Sequence, residues 1–280
     1  MRAHISGDIR PSPIAGTWYP GNPDQLTATI NSMLADAPSV EILGRIRGLM
    51  VPHAGYRYSG PIAARAFKAL EGLSYKRVVV LSPMHHPYAA PLLTSAHSGY
   101  STPLGSIPID RETLDALGRR VPITAVRNDP EHSLEIELPF LQCVLSEPFS
   151  LIPLMLRDQS LEAASRLGTA LAEVLGNVQE SLLVASSDLS HFYKDQVARQ
   201  LDSRLMSFVS DMNPGGIILA DEEGKAFACG RGAIAAMLFA TKQMGAEQVK
   251  ITGYGTSADA GGDAQKVVGY GSAAVYQPAS

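Results

Sequence analysis

The sequence predicts an α/β fold: a mixed, mostly parallel central sheet flanked by helices, with an antiparallel hairpin at the C-terminal end. Three observations lead there. Four short segments are apolar at nearly every position and punctuated by Pro, Ser or Gly, as strands covered on both faces are. Stretches with helical apolar spacing alternate with these segments, the pattern of helices layered on a sheet. The C-terminal stretch KITGYGTSADAGGDAQKVVGYGSAAVY instead joins two Gly/Val/Tyr-bearing runs through a Gly- and Asp-rich loop.

In chain order, the strand segments are IRGLMVP (46–52), RVVVLSP (77–83), SLIPLML (150–156) and SLLVASS (181–187). Ala-rich IAARAFKAL (62–70) reads as the first helix between them. Residues 129–145 open with Asp-Pro-Glu, a capping residue followed by a proline at the first helical position and an early acid, so a second helix is expected there. Residues 161–175 and 196–209 are amphipathic with helical spacing. The C-terminal runs read as a hairpin added to the same sheet. No linker, repeat or low-complexity tract divides the 280 residues, so one domain spanning 1–280 is expected.

Composition narrows the function. A net charge of −4 argues against a nucleic-acid surface, and no apolar run approaches the roughly 18 residues that span a bilayer. The start, MRAHISGDIRPSP, lacks the apolar centre of a secretory signal. Two cysteines, Cys143 and Cys229, suggest a reducing compartment and not a disulfide framework. A cytoplasmic protein is expected.

Ligand-type residues gather at strand ends. His53 follows the first strand, His85 and His86 follow the second, and Asp188 and His191 follow the fourth. Ligands of open α/β sheets bind beyond the carboxyl ends of the strands. Four of the seven histidines lie on these loops, which favours a metal or catalytic site over isolated loop residues. One of His85 and His86 is expected to be idle, and Asp188 taken alone can simply cap a helical turn. Cys229, in AFACGRGAIAAML, precedes an apolar helix; it is either a small buried residue or a thiol tuned by the helix end or a metal, with Gly230 and Gly232 allowing close backbone approach. Cys143 reads as core. His132 and Glu135 are three apart in PEHSLEIELP, where one helical face would let them orient metal ligands through hydrogen bonds or simply meet solvent. Tyr56, Tyr58 and Tyr254 read as pocket walls or core aromatics.

AGTWYPGNPDQL (15–26), PHAGYRYSGPIAARAF, SPMHHPY, TPLGSIPID, EHSLEIELPFLQ, SSDLSHF, ACGRGAI and the terminal VVGYGSAAVY together resemble the Memo family, protein B of the AmmeMemoRadiSam system. The resemblance spans nearly the whole chain. The family's usual Gly-Pro-Ser-His-His stands here as Ser-Pro-Met-His-His, which keeps both histidines but alters the backbone beside them. The family is related in fold to class III extradiol dioxygenases. By that resemblance His53, His85 and Cys229 are the metal ligands, and His191 with Asp188 lines the same pocket, His191 matching an acid/base histidine. Tyr56, Tyr254 and His86 would contact substrate, with His132 and Glu135 behind the ligands.

Two imidazoles and an anionic third ligand leave positions open for substrate and O₂ on iron(II), while a thiolate draws the preference toward zinc or copper(I). The expected function is a Memo-like metal-binding protein acting as a non-haem iron redox enzyme on an unknown substrate. A non-catalytic peptide- or partner-binding protein and a zinc hydrolase are the alternatives. The family name also implies a radical S-adenosylmethionine protein and an AMMECR-type protein as partners.

Overall fold

The computed structural model describes residues 8–176 and 180–279. Its strands are β1 (Ile9–Arg10), β2 (Gly44–Val51), β3 (Arg77–Pro83), β4 (Leu92–Ser95), β5 (Gly99–Thr102), β6 (Gly105–Pro108), β7 (Thr124–Val126), β8 (Ser150–Leu156), β9 (Ser181–Ser186), β10 (His191–Tyr193), β11 (Gln248–Thr256) and β12 (Val267–Pro278). The helices are α1 (Pro23–Asp36), α2 (Tyr56–Phe67), α3 (Arg111–Gly118), α4 (Leu138–Val144), α5 (Leu161–Leu175), α6 (Asp195–Ser210), α7 (Pro214–Glu222) and α8 (Arg231–Gln243).

The four apolar segments of the sequence become β2, β9, β3 and β8, in that spatial order and all parallel. Their apolar character follows from burial: Leu49, Val79, Ile152 and Leu183 are fully enclosed. Cover on both faces is needed for that, and α8 backed by α5 supplies one layer while α2 with α1 and α4 supplies the other. The sheet is mixed at its margins. On one side β4 runs antiparallel to β8 and β7 parallel to β4; on the other, β12 runs antiparallel to β2. β11 and β12 form the expected hairpin, with β12 also pairing β10 at its start. A separate small sheet, β1-β5-β6, holds the N-terminal segment. Among the described residues no helix is long and apolar enough to cross a membrane.

The helix expected over 129–145 is largely absent. Residues 127–134 are irregular, Glu135–Glu137 form one 3-10 turn, and α4 begins only at Leu138. The capping signals are spent elsewhere. Asp129 accepts from the guanidinium of Arg10 at 2.8 Å, and the Glu131 carboxylate turns back to its own neighbours' amides. Tertiary partners have overridden a local helix pattern. By contrast, α5 matches the expected 161–175, and α6 extends the expected 196–209 by one residue at each end.

Candidate metal centre

Parallel strands place their carboxyl ends on one edge, and that edge carries the site. His53 lies two residues beyond β2, His85 two beyond β3 and Asp188 two beyond β9. The irregular 127–134 segment brings His132 to the same place, β10 begins with His191, and Cys229 arrives just ahead of α8. One ring nitrogen from each of His53, His85 and His132 lies within 4.8 Å of the other two. The ring centroids are 5.0–5.5 Å apart, with His85 stacked on His132 and His53 edge-on to both. Cys229 Sγ is 3.2 Å from His53 Nε2.

Nδ1 hydrogen bonds fix the His53 and His85 rings, and His132 Nδ1 faces the same carboxylate as His85. Glu131, fully buried, accepts the His85 amide at 2.6 Å on Oε2 and His85 Nδ1–H at 3.0 Å on Oε1. The same Oε1 accepts the amides of His132 and Ser133 and the Ser133 hydroxyl, and lies 3.3 Å from His132 Nδ1. His53 Nδ1 is 2.9 Å from Ser186 Oγ, whose proton goes to the Ser133 carbonyl at 2.5 Å; Glu137 Oε1 lies 2.9 Å from the same hydroxyl. With the Ser186 proton so committed, His53 donates through Nδ1 and keeps a lone pair on Nε2. His191 donates Nδ1–H to the Leu189 carbonyl at 2.8 Å, which frees its Nε2. A second acceptor on the far nitrogen is what orients a metal-binding histidine and sets its tautomer.

The ACGRG loop is held as tightly. Gln159 donates to the Cys229 carbonyl at 2.7 Å and accepts the Gly232 amide at 2.9 Å, while Ser187 Oγ accepts the Gly230 amide. A Cβ on Gly230 would stand 2.5 Å from the Ser186 carbonyl oxygen, and one on Gly232 would stand 2.9 Å from Gln159 Cα. Glycine is required at both positions by backbone approach.

Burial sets the protonation states. It drives His53 well below the ordinary imidazole value, with His132 and His85 adding to the effect. It lowers His132 to about 4 despite Glu131, and it lowers His191 as well. These three are therefore neutral near pH 7, as metal binding requires. Burial alone would raise Glu131, yet the His85 ring bond, the His85 charge and the Ser133 and His85 amides together hold it well below the usual carboxylate range. Asp188, which accepts the His53 amide at 2.8 Å, is pushed up to about 7 by burial. Burial first, then Asp188, raises the Cys229 thiol, so without a cation it stays protonated. The neutral lone pairs of His53 and His132, gathered with a ring nitrogen of His85 within 4.8 Å, suit a divalent cation.

The chain matches the profile of the Memo-like protein family over residues 10–274. It belongs to the Memo family. It is 34% identical to a MEMO1 family protein of Nitrosopumilus maritimus, over 94% of this chain and 98% of that one. MEMO1 family proteins of Methanococcoides burtonii and Methanopyrus kandleri are 35% and 33% identical, over 94% and 92% of this chain and 98% and 95% of theirs.

In this Memo-like chain the structure brings together His53, His85, His132, Cys229, Asp188 and His191. His132 differs from its expected position behind the ligands: it is a full member of the imidazole group. Glu135 does not reach the imidazoles, because Arg10, Ser12 and Tyr19 take its carboxylate. Glu131 and Glu137 stand where Glu135 was expected, a shift that follows from the missing helical turn. Tyr56 gives its hydroxyl to the Ile136 carbonyl and packs between Tyr19 and Phe140, and Tyr254 donates to buried Asp202. Both tyrosines thus have internal partners. His86 is half-buried and has no side-chain hydrogen bond among the described residues. Met84, the departure from the family's usual serine, is 2% exposed and lies inside the fold. Sequence reasoning missed Glu131, Ser186, Glu137 and Gln159. The adjacency Glu131-His132 was the one local signal; the others act across 49 to 133 residues of chain.

Proposed function

We propose that the chain is a metal-dependent redox enzyme of the non-haem iron type, with an architecture related to class III extradiol dioxygenases. The observation that supports it is the group of three imidazole nitrogens within 4.8 Å of one another. His53 and His85 would hold the ion, joined by His132 and by Cys229, whose sulfur already contacts His53 Nε2. Bound iron(II) would supply the redox chemistry and open positions for substrate and O₂.

The chain's own residues supply the rest. His191, neutral and with Nε2 free, accepts a proton from substrate and returns it. Asp188 fixes the turn after β2 by accepting the amides of His53 and Ala54, and this sets where the His53 ring can point. Glu131 and Ser186 keep the lone pairs facing inward.

The test is metal analysis of protein purified without chelators or an affinity metal, followed by anaerobic iron loading and oxygen-uptake assays. Iron bound at one equivalent, lost in His53→Ala, with substrate-dependent O₂ uptake, is the expected result. Stoichiometric zinc that iron cannot displace would remove the redox assignment.

A further inference from the structure

Asp202, on α6, is fully buried and forms no ion pair among the described residues. Arg199, three residues earlier on the same helix, is committed to Asp195 and Asp259. Only neutral donors hold the Asp202 carboxylate: Oδ1 accepts the Ser190 amide at 2.9 Å, and Oδ2 accepts the Tyr254 hydroxyl at 2.8 Å. Gly269 of β12 makes room for it, because a Cβ there would overlap the carboxylate. Burying a carboxylate without a cation is costly. Fastening the Ser190 backbone does not need one, since asparagine would also offer an oxygen.

What lies across the Ser190 amide supplies a reason. That N–H belongs to the same peptide unit as the Leu189 carbonyl, and the Leu189 carbonyl accepts His191 Nδ1–H at 2.8 Å. Carboxylate, peptide and imidazole therefore form one hydrogen-bonded chain. The backbone on either side of that peptide is pinned to β12: the Leu189 amide donates to the Gly269 carbonyl, and the Ser190 carbonyl accepts the Gly269 amide. Hydrogen bonds in series polarise one another, so a carboxylate drawing on the N–H makes the carbonyl a stronger acceptor. A stronger acceptor keeps the ring proton on Nδ1 and the lone pair on Nε2.

We propose that Asp202 is a positioning residue that acts on His191 through the Leu189–Ser190 peptide, fixing the tautomer of the ring and strengthening it as a base. The proposal rests on the metal-enzyme reading only for the use of His191 in proton transfer. No proton travels along the peptide; the buried charge at one end stabilises the imidazolium at the other. Burial lowers the His191 pKa, the Leu189 bond opposes that, and His85 adds to the lowering. Burial raises Asp202, against the Ser190 amide, the Tyr254 hydroxyl and the Arg199 charge.

Asp202→Asn removes the charge and keeps an oxygen for the Ser190 amide. Heteronuclear NMR of the full chain carrying labelled histidine reads the ring directly and needs no turnover, the His191 signals being assigned by their loss in His191→Gln. Wild type should show the Nδ1–H tautomer with a hydrogen-bonded, downfield Nδ1 proton. In Asp202→Asn that proton should move upfield and the His191 pKa should fall by about 0.5–1. His97, held by Asp8 and the Arg127 carbonyl, should keep its wild-type signals in the same variant. A His191 pKa within about 0.2 of wild type, in a variant whose thermal midpoint holds, overturns the proposal and leaves Asp202 a structural acid. Wild type decides alone if the variant does not fold, because an Nε2–H tautomer at His191 overturns the proposal by itself. Failure to bind iron with the His191 pattern intact removes the redox reading alone; iron binding with unmoved His191 signals in Asp202→Asn removes the Asp202 role alone.

Discussion

Replacing Glu131 by glutamine changes one oxygen into an NH₂ and leaves the shape of the side chain intact. In the native site Oε2 accepts the His85 amide at 2.6 Å, while Oε1 accepts His85 Nδ1–H, two further amides and the Ser133 hydroxyl. Whichever oxygen is lost, a donor then faces a donor inside the protein. An unsatisfied buried donor costs about 1–3 kcal/mol. If nearly all of that falls on the orientation of His85 and His132, metal affinity drops about 5–150-fold, which spans the 10–100-fold typical for partners of metal-binding histidines. Competition titration of zinc or cobalt(II) against a chelator measures this directly. Trp18, the single tryptophan, sits 4.2 Å from His132 and reports the binding in fluorescence. An affinity within about twofold of wild type, in a variant with unchanged unfolding, would refute the orienting role of the carboxylate.

Arg10→Met leaves Asp129 and Glu135 buried without their cation, and should cost about 3–5 kcal/mol in urea unfolding; a loss under about 1 kcal/mol contradicts the assignment. Glu137 is raised well above the ordinary carboxylate value by burial and by Asp188, despite the Ser186 bond. Its folded form therefore keeps a proton that the unfolded chain releases above about pH 4.3, and stability falls as pH rises from there. Glu137→Gln should flatten that slope, and parallel wild-type and variant curves between about pH 5 and pH 8 would show the linkage to be absent. Gly230→Ala places a Cβ 2.5 Å from the Ser186 carbonyl oxygen; we expect about 1–3 kcal/mol of destabilisation by thermal melting and less metal bound per chain.

Burial was legible wherever it was uniform. The four central strands announce themselves because nearly every position is enclosed, and that same signal is silent about their order: β9 enters between β2 and β3 although it follows both in sequence. Strand-end histidines were legible because parallel strands share an edge. His132 was misplaced because Asp129-Pro130-Glu131 spells a helix start, while Arg10, 119 residues away, claims Asp129 and bends the segment into a clamp. Gln159 and Ser186 carry no mark of function in their own neighbourhoods. Their roles exist only once the sheet has brought the carboxyl ends of β8 and β9 up to the loops of other elements.

The last strand, β12, is an internal member of the sheet. It pairs with β2, formed from residues 44–51, and with β11 and β10. A nascent chain therefore carries β2 with one edge unfilled until residues 267–278 have emerged, and Cys229 reaches His53 across 176 residues of chain. The cation-binding constellation thus draws on residues from His53 to Cys229 and cannot be complete before Cys229 has been made. A truncation at residue 266 would remove β12, leaving β2 with an unpaired edge and β10 and β11 without their shared partner.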